Sequence, residues 1–142
     1  MSDFRERVEL ARQSWSNGDL ADYLSLYHED IKLHGYSPEP MTKPAVAAFY
    51  QQIWTSLHDE GRPNPSLVFH DPMMEGDLYS CRFTMSGVHA GTFMGIAATG
   101  RRYVLPGITM IRHANNRAVE RWSSADMLGL LIQLGAIPAP TS

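Results

Sequence analysis

The 142-residue sequence predicts an α+β domain in which a strongly curved antiparallel sheet wraps around a pocket, with helices packed on one side. Three observations carry that prediction. Apolar residues up to Leu57 recur at helical spacing, and beyond HDEGRPNP the period becomes twofold. Gly87, Gly91, Gly95 and Gly107 then lie within or beside the strands, where strong curvature needs relief from side chains.

Phe4, Val8, Ala11 and Trp15 define a first helix, ended by SNG with Gly18 in the left-handed C-terminal position. Asp19 caps a second short helix carrying Leu20, Tyr23, Leu24 and Tyr27. DIKLHGY alternates as a strand, with Ile31 and Leu33 on one face and Lys32, His34 and Tyr36 on the other. After the turn SPEP, Thr42 and Pro44 open the best-defined helix, whose apolar stripe is Val46, Phe49, Tyr50, Ile53, Trp54 and Leu57. SLVFHDPMM and DLYSCRFTMSGVHAG form a hairpin turning at Glu75, Gly76 and Asp77. TFMGIAATG is an irregular connection to the strands RRYVLPGITMIRH and RAVERWSS, and MLGLLIQL is a last helix stopped by Gly135 and Pro138. No repeat or low-complexity tract divides the chain, so residues 1–142 make a single domain.

The last hairpin decides which side chains enter the pocket. A two-residue turn at Asn115 and Asn116 puts Arg112 on the face of Val119, whereas a three-residue turn of Ala114 to Asn116 groups Met110 and Arg112 with Trp122, Ser124 and Asp126. The second is expected, because Asn116 tolerates the left-handed conformation it needs. Thr109, Ile111, Val119 and Arg121 then form the opposite face, a mixed apolar surface suited to a homodimer or larger assembly.

A net charge of −3 with 19% charged residues provides no basic field for nucleic acid or an anionic membrane. No apolar run is long enough to span a bilayer, the start MSDFRERVELARQ is no signal peptide, and the lone Cys81 suits a reducing compartment; a cytoplasmic location is expected. HExxH, paired CxxC, GxxxxGK[ST] and GxSxG are all absent, and the histidines form no local ligand pair, so neither metal nor cofactor is expected.

Asp126 joins the Trp-bearing segment VERWSSA to the final helix, and two readings stay open. Aspartate is among the best N-caps, yet Gly129 stands where a reciprocal Glu or Gln belongs, and Ser123 or Ser124 could cap instead. A cap lowers the pKa of Asp126 and burial raises it; a proton-shuttling acid needs the second environment. His34 is either a surface imidazole or a hydrogen-bond donor to a substrate carbonyl, and His89 either supports a loop backbone or takes part in chemistry. Arg112 is either a rim ion pair or an anchor for a carboxylate, an enolate oxygen or Asp126 itself. Tyr50, Trp54, Phe49, Met85 and Met110 read as core or pocket wall.

The stretch GVHAGTFMGIAATGRRYVLPGITMIRHANNRAVERWSSADMLGLLIQLGAIP resembles the SnoaL-like polyketide cyclases, with their pattern G-x-H-x-G-x-F-x-G-I-x-x-T-G, an Arg near a strand end, E-x-W-x-x-x-D and a helix ending Q-L-G. The matching residues are Gly87, His89, Gly91, Phe93, Gly95, Ile96, Thr99, Gly100, Arg112, Glu120, Trp122, Asp126, Gln133, Leu134 and Gly135, and upstream the likeness extends to helix order and His34. The resemblance implies an NTF2-like cone and a cofactor-independent enzyme in which Asp126 is the general acid/base of an aldol-type cyclisation. His34 would assist it. Arg112, Met110, Trp122, Ser124, Tyr36, Tyr50, Trp54 and His89 would contact a small apolar carbonyl or aromatic substrate. A hydratase, isomerase or epoxide hydrolase in the same cone, or a noncatalytic small-ligand binder, is the alternative.

Overall fold

The computed structural model describes residues 3–140. Its elements are α1 (Phe4–Ser16), α2 (Leu20–Leu24), β1 (Tyr27–His34), α3 (Lys43–Leu57), β2 (Ser66–Glu75), β3 (Leu78–Val88), β4 (Arg102–Ala114), β5 (Arg117–Ala125) and α4 (Met127–Gln133). The five strands form a single sheet in the order β1-β5-β4-β3-β2, antiparallel throughout except that β1 runs parallel to β5. Helices α1 and α3 bury Phe4, Val8, Ala11, Trp15, Val46, Tyr50, Ile53, Trp54 and Leu57, the apolar stripes expected from their spacing. Among the described residues no helix is long and apolar enough to cross a membrane.

Several boundaries differ from the sequence expectation. Helix α2 stops at Leu24, and Tyr27 begins β1. The register of β1 against β5 shifts between Tyr27 and Lys32, where this edge strand is irregular. The β2–β3 loop is two residues long, because Glu75 pairs directly with Leu78. Farther along β2 the register shifts between His70 and Met73; Asp71 there has φ 54° and Pro72, which lacks an N–H, falls outside the ladder.

The β4–β5 hairpin turns on Asn115 and Asn116 alone, with φ of 51° and 63°, so both central residues take the left-handed conformation of a type I′ turn. Ala114 pairs with Arg117 and His113 with Ala118, after which the register shifts and Arg112 pairs with Glu120. Val119 is thus an extra residue in β5. The bulge restores the grouping expected from a three-residue turn, since Met110 faces Trp122 across the ladder and Ile108 faces Ser124. The expected inside and outside are nevertheless exchanged. Thr109, Ile111, Arg121 and Ser123 are buried, while Met110 is 43% and Ile108 60% exposed.

Curvature brings β3 and β4 close at Gly107. A Cβ there would lie 2.3 Å from the Phe83 ring and 2.9 Å from the Ser124 carbonyl oxygen, so only glycine lets the Phe83 ring lie flat across the strand into the interior. Gly107→Ala is expected to destabilise the fold by about 1–3 kcal/mol through overpacking, as measured by denaturant unfolding of the two proteins.

Candidate functional site

The interior of the cone is built around Arg121. Alternation along β5 past the bulge turns its side chain inward, where it is 5% exposed. Its Nε donates to Thr109 Oγ1 at 2.8 Å, and Nη1 donates to the hydroxyls of Tyr23 at 3.1 Å, Tyr50 at 3.4 Å and Tyr27. Hydroxyl–hydroxyl hydrogen bonds of 3.1 Å join Tyr23 to Tyr27 and Tyr27 to Tyr50. Nη2 has no hydrogen-bond partner, and no carboxylate forms an ion pair with Arg121, among the described residues. A buried cation without an anion is expensive, because its desolvation is not repaid by Coulomb attraction. Charge-assisted hydrogen bonds to four neutral oxygens offset part of that cost.

The hydroxyls of Tyr27 and Tyr50 stay protonated. Burial pushes Tyr27 and Tyr50 well above the ordinary phenol range, more strongly than the charge of Arg121 draws them down. Tyr36 shifts upward for the same reason. Burial opposes the charge of Arg121, but the phenol oxygens of Tyr27, Tyr50 and Tyr23 outweigh it and hold the guanidinium above its usual range. The result is a fixed positive charge in a shell of neutral dipoles.

Beside Arg121 lies a cavity of about 40 Å³, lined by Trp15, Tyr23, Tyr36, Phe49, Tyr50, Ile53, Leu57, Leu67, Phe83, Met85, Phe93, Leu105 and Met127. At roughly 10–15 Å³ for a water centre, that is room for about three waters. Tyr36 and Tyr50 therefore stand where a pocket wall was expected, with the Tyr36 hydroxyl 2.9 Å from Ser123 Oγ and its ring 4.7 Å from that of Phe49. Among the described residues that line this cavity there is no Asp, Glu or His.

The other sequence candidates lie elsewhere. Trp54 is buried edge-on against Trp15 with ring centroids 5.1 Å apart; it belongs to the core and does not line the cavity. His89 is fully buried beneath the connection to β4, where its Nδ1 accepts the Thr99 backbone N–H at 3.2 Å and lies 2.9 Å from the Thr99 hydroxyl. An accepting Nδ1 leaves the proton on Nε2, which is buried without a partner.

His34, Met110, Arg112, Trp122 and Ser124, expected at the pocket, sit together on the outer face of the sheet. His34 Nε2 is 2.7 Å from Glu120 Oε2 and its ring stacks on Trp122 with centroids 5.4 Å apart. Arg112 binds Asp77 at 2.8 Å and lies 6.0 Å over the Trp122 ring. Met110 and Ser124 line the same open groove as His34 and Trp122. The physical reason is parity: once Arg121 and Thr109 point in, their neighbours along β4 and β5 must point out.

Asp126 is exposed. Its Oδ1 accepts the Gly129 N–H at 2.9 Å as the N-cap of α4, and a Cβ on Gly129 would meet Oδ2 at 2.2 Å. Glycine at that position, which removes the reciprocal partner of a capping box, is what lets the carboxylate fold back over the helix end. Of the two readings of Asp126, the geometry occupied here is the cap. No three His, Cys, Asp or Glu side chains converge as a metal-binding group among the described residues.

Arg121, Tyr23, Tyr27, Thr109 and Phe93 are the interior residues that sequence reasoning missed. The available signal was the count of tyrosines at buried helical and strand positions, because each buried hydroxyl requires a partner.

A curved sheet closed by helices around an apolar interior with one cationic centre defines a cone-fold protein. The SnoaL-like polyketide cyclase model matches residues 5–134, and the chain belongs to that family. Solved structures of the NTF2-like fold superpose closely. AclR from Streptomyces galilaeus, a proposed hydroxylase, is 24% identical with a TM-score of 0.81, covering 94% of this chain and 97% of its own. TsrD from Streptomyces laurentii is 24% identical with a TM-score of 0.80, covering 96% and 100%. IdmH from Streptomyces antibioticus, a proposed polyketide cyclase, is 24% identical with a TM-score of 0.76, covering 94% and 99%. No curated protein matches the chain.

The tyrosine shell makes an alkaline prediction. Tyr27, Tyr36 and Tyr50 have folded-state values raised above the unfolded reference of 10.0, so above that pH the unfolded chain releases protons that the folded chain retains. Stability is full below pH ~10 and falls as pH rises beyond it. Phenolate absorbance of these buried tyrosines is expected to appear together with loss of near-ultraviolet dichroism; their titration in the native protein near pH 10 contradicts the cage.

Proposed function

We propose that this protein binds a small apolar carbonyl compound inside the cone and promotes aldol-type carbon–carbon bond formation by stabilising the enolate oxygen at Arg121. The observation that carries the reading is a permanently charged guanidinium, set in a shell of neutral hydroxyls, facing an otherwise apolar cavity. Preorganised donors in a water-poor interior act on developing negative charge far more strongly than they do in water. A carbon between two carbonyls is acidic enough to pass its proton to solvent water once the resulting enolate is held, and the alkoxide formed with the new carbon–carbon bond takes a proton back from water, so Arg121 has only to supply the oxyanion site.

A noncatalytic ligand-binding role is the second reading, favoured by one observation: the carboxylate offered by the family pattern, Asp126, is exposed and engaged with Gly129. Two variants sort the possibilities. With a substrate found by thermal-shift screening of apolar diketones, Arg121→Met is expected to lower kcat by about 10²-fold or more, the scale of losing an oxyanion donor. Asp126→Asn, which caps nearly as well, is expected to lower it by less than about 10-fold. The reverse order gives the proton to Asp126 and withdraws Arg121 from the lead role, while binding without turnover in the parent protein supports the second reading.

We also propose a homodimer formed through the outer sheet face, where Val104, Ile108 and Met110 are 43–60% exposed beside Trp122. Light scattering at micromolar concentration is expected to give a dimer mass for the parent protein and a monomer mass for Ile108→Lys.

A further inference from the structure

We infer that the occupant of the cone is a monoanion, its carboxylate docked on Arg121 Nη2 and its apolar body against Phe83, Met85 and Leu105. The inference rests on the cone interior being the ligand site; the carboxylate takes the position at Arg121 that the aldol reading gives to an enolate oxygen, and so belongs with the ligand-binding reading of that site. Three observations converge on it. The first is charge balance. Arg121 is buried and cationic, its protein partners are the neutral oxygens of Thr109, Tyr23, Tyr27 and Tyr50, and among the described residues no acid lines the cavity to neutralise it. A neutral carbonyl leaves one uncompensated charge in the interior, whereas a carboxylate removes it.

The second is donor geometry. Nε and Nη1 are engaged, while Nη2 carries N–H groups without an acceptor among the described residues, on a side chain that borders the cavity. Guanidinium N–H groups match carboxylate oxygens in direction and spacing. The third is size. A cavity of about 40 Å³ accepts a head group the size of a carboxylate with a short body, while a polycyclic skeleton needs its aromatic walls to part. Burial holds the surrounding hydroxyls as phenols, so they present dipoles rather than competing negative charge to an incoming anion.

The test compares isosteric pairs on the full-length protein: acetate against acetamide, and propionate against propionamide, by thermal shift and calorimetry at fixed ionic strength. The expected result is at least about 10-fold tighter binding of each carboxylate, the scale of a charge-assisted hydrogen bond in a buried site. That preference should change little between low and about 0.5 M salt, since a buried pair is poorly screened, and should vanish in Arg121→Gln. Amides binding as tightly as carboxylates, or a preference that survives in Arg121→Gln, overturns the inference. Should Arg121→Gln not fold, a crystal structure of the parent protein with propionate decides: a carboxylate within hydrogen-bond distance of Nη2 supports it, and one placed elsewhere overturns it. Binding of neutral ketones but of no carboxylate overturns the monoanion while leaving the cone-interior reading intact, and binding of neither class overturns both.

Discussion

The structure depends on keeping one guanidinium charged inside an apolar cone. Arg121 reaches from β5 to Thr109 on β4, Tyr23 on α2, Tyr27 on β1 and Tyr50 on α3, so a single side chain links four elements to its own strand. Phenylalanine at those tyrosine positions would fill the same space and leave the cation with Thr109 as its one acceptor among these groups. The aromatic packing of Trp15 against Tyr23 and Tyr50, with ring centroids 4.9 and 5.8 Å apart, holds the hydroxyls in place from behind. Apolar packing thus supplies the rigidity that lets a polar centre act as a preorganised one.

The two faces of the sheet divide the polar chemistry of the chain. Inside, charge is isolated among neutral groups; outside, polar side chains meet in water-accessible pairs, Arg112 with Asp77 as an ion pair and His34 with Glu120 through a hydrogen bond, around the partly buried Trp122. Exposed pairs contribute little to stability and tolerate change. The motif E-R-W therefore carries both kinds of residue in three consecutive positions, Glu120 and Trp122 facing out and Arg121 facing in. Relatives that share the fold can keep such a pattern while their substrates differ, because the walls of the cavity come from other elements.

Helices α1 and α3 and the long strands are legible in the sequence because their apolar periods are strong and their ends carry Asp3, Gly18 and Pro44. The cone follows from the glycines. What misleads is β4, where Tyr103, Leu105 and Ile111 on one side and Val104, Ile108 and Met110 on the other are both apolar, so hydrophobicity does not choose the inner face. The choice then falls to β5, and there Trp122 looks like core and Arg121 like surface. A bulge at Val119, invisible to alternation, and a charge satisfied by residues 71 to 98 positions away in sequence decide otherwise. Asp126 shows the opposite case: the cap and the acid are both written in the local sequence, and only the exposed position and the bond to Gly129 separate them.

The sequence distances spanned by the cage also bear on how the chain assembles. Tyr23 and Tyr27 leave the ribosome 98 and 94 residues before Arg121, and β1 has no sheet neighbour until β5, its parallel partner, has been made. An incomplete chain carries these tyrosines and the β1 segment with the cation that organises them not yet synthesised. Non-local closures of this kind come late because loop entropy must be overcome before their contacts form. The cage is therefore a property of the finished chain, completed in the same step that seals the sheet edge.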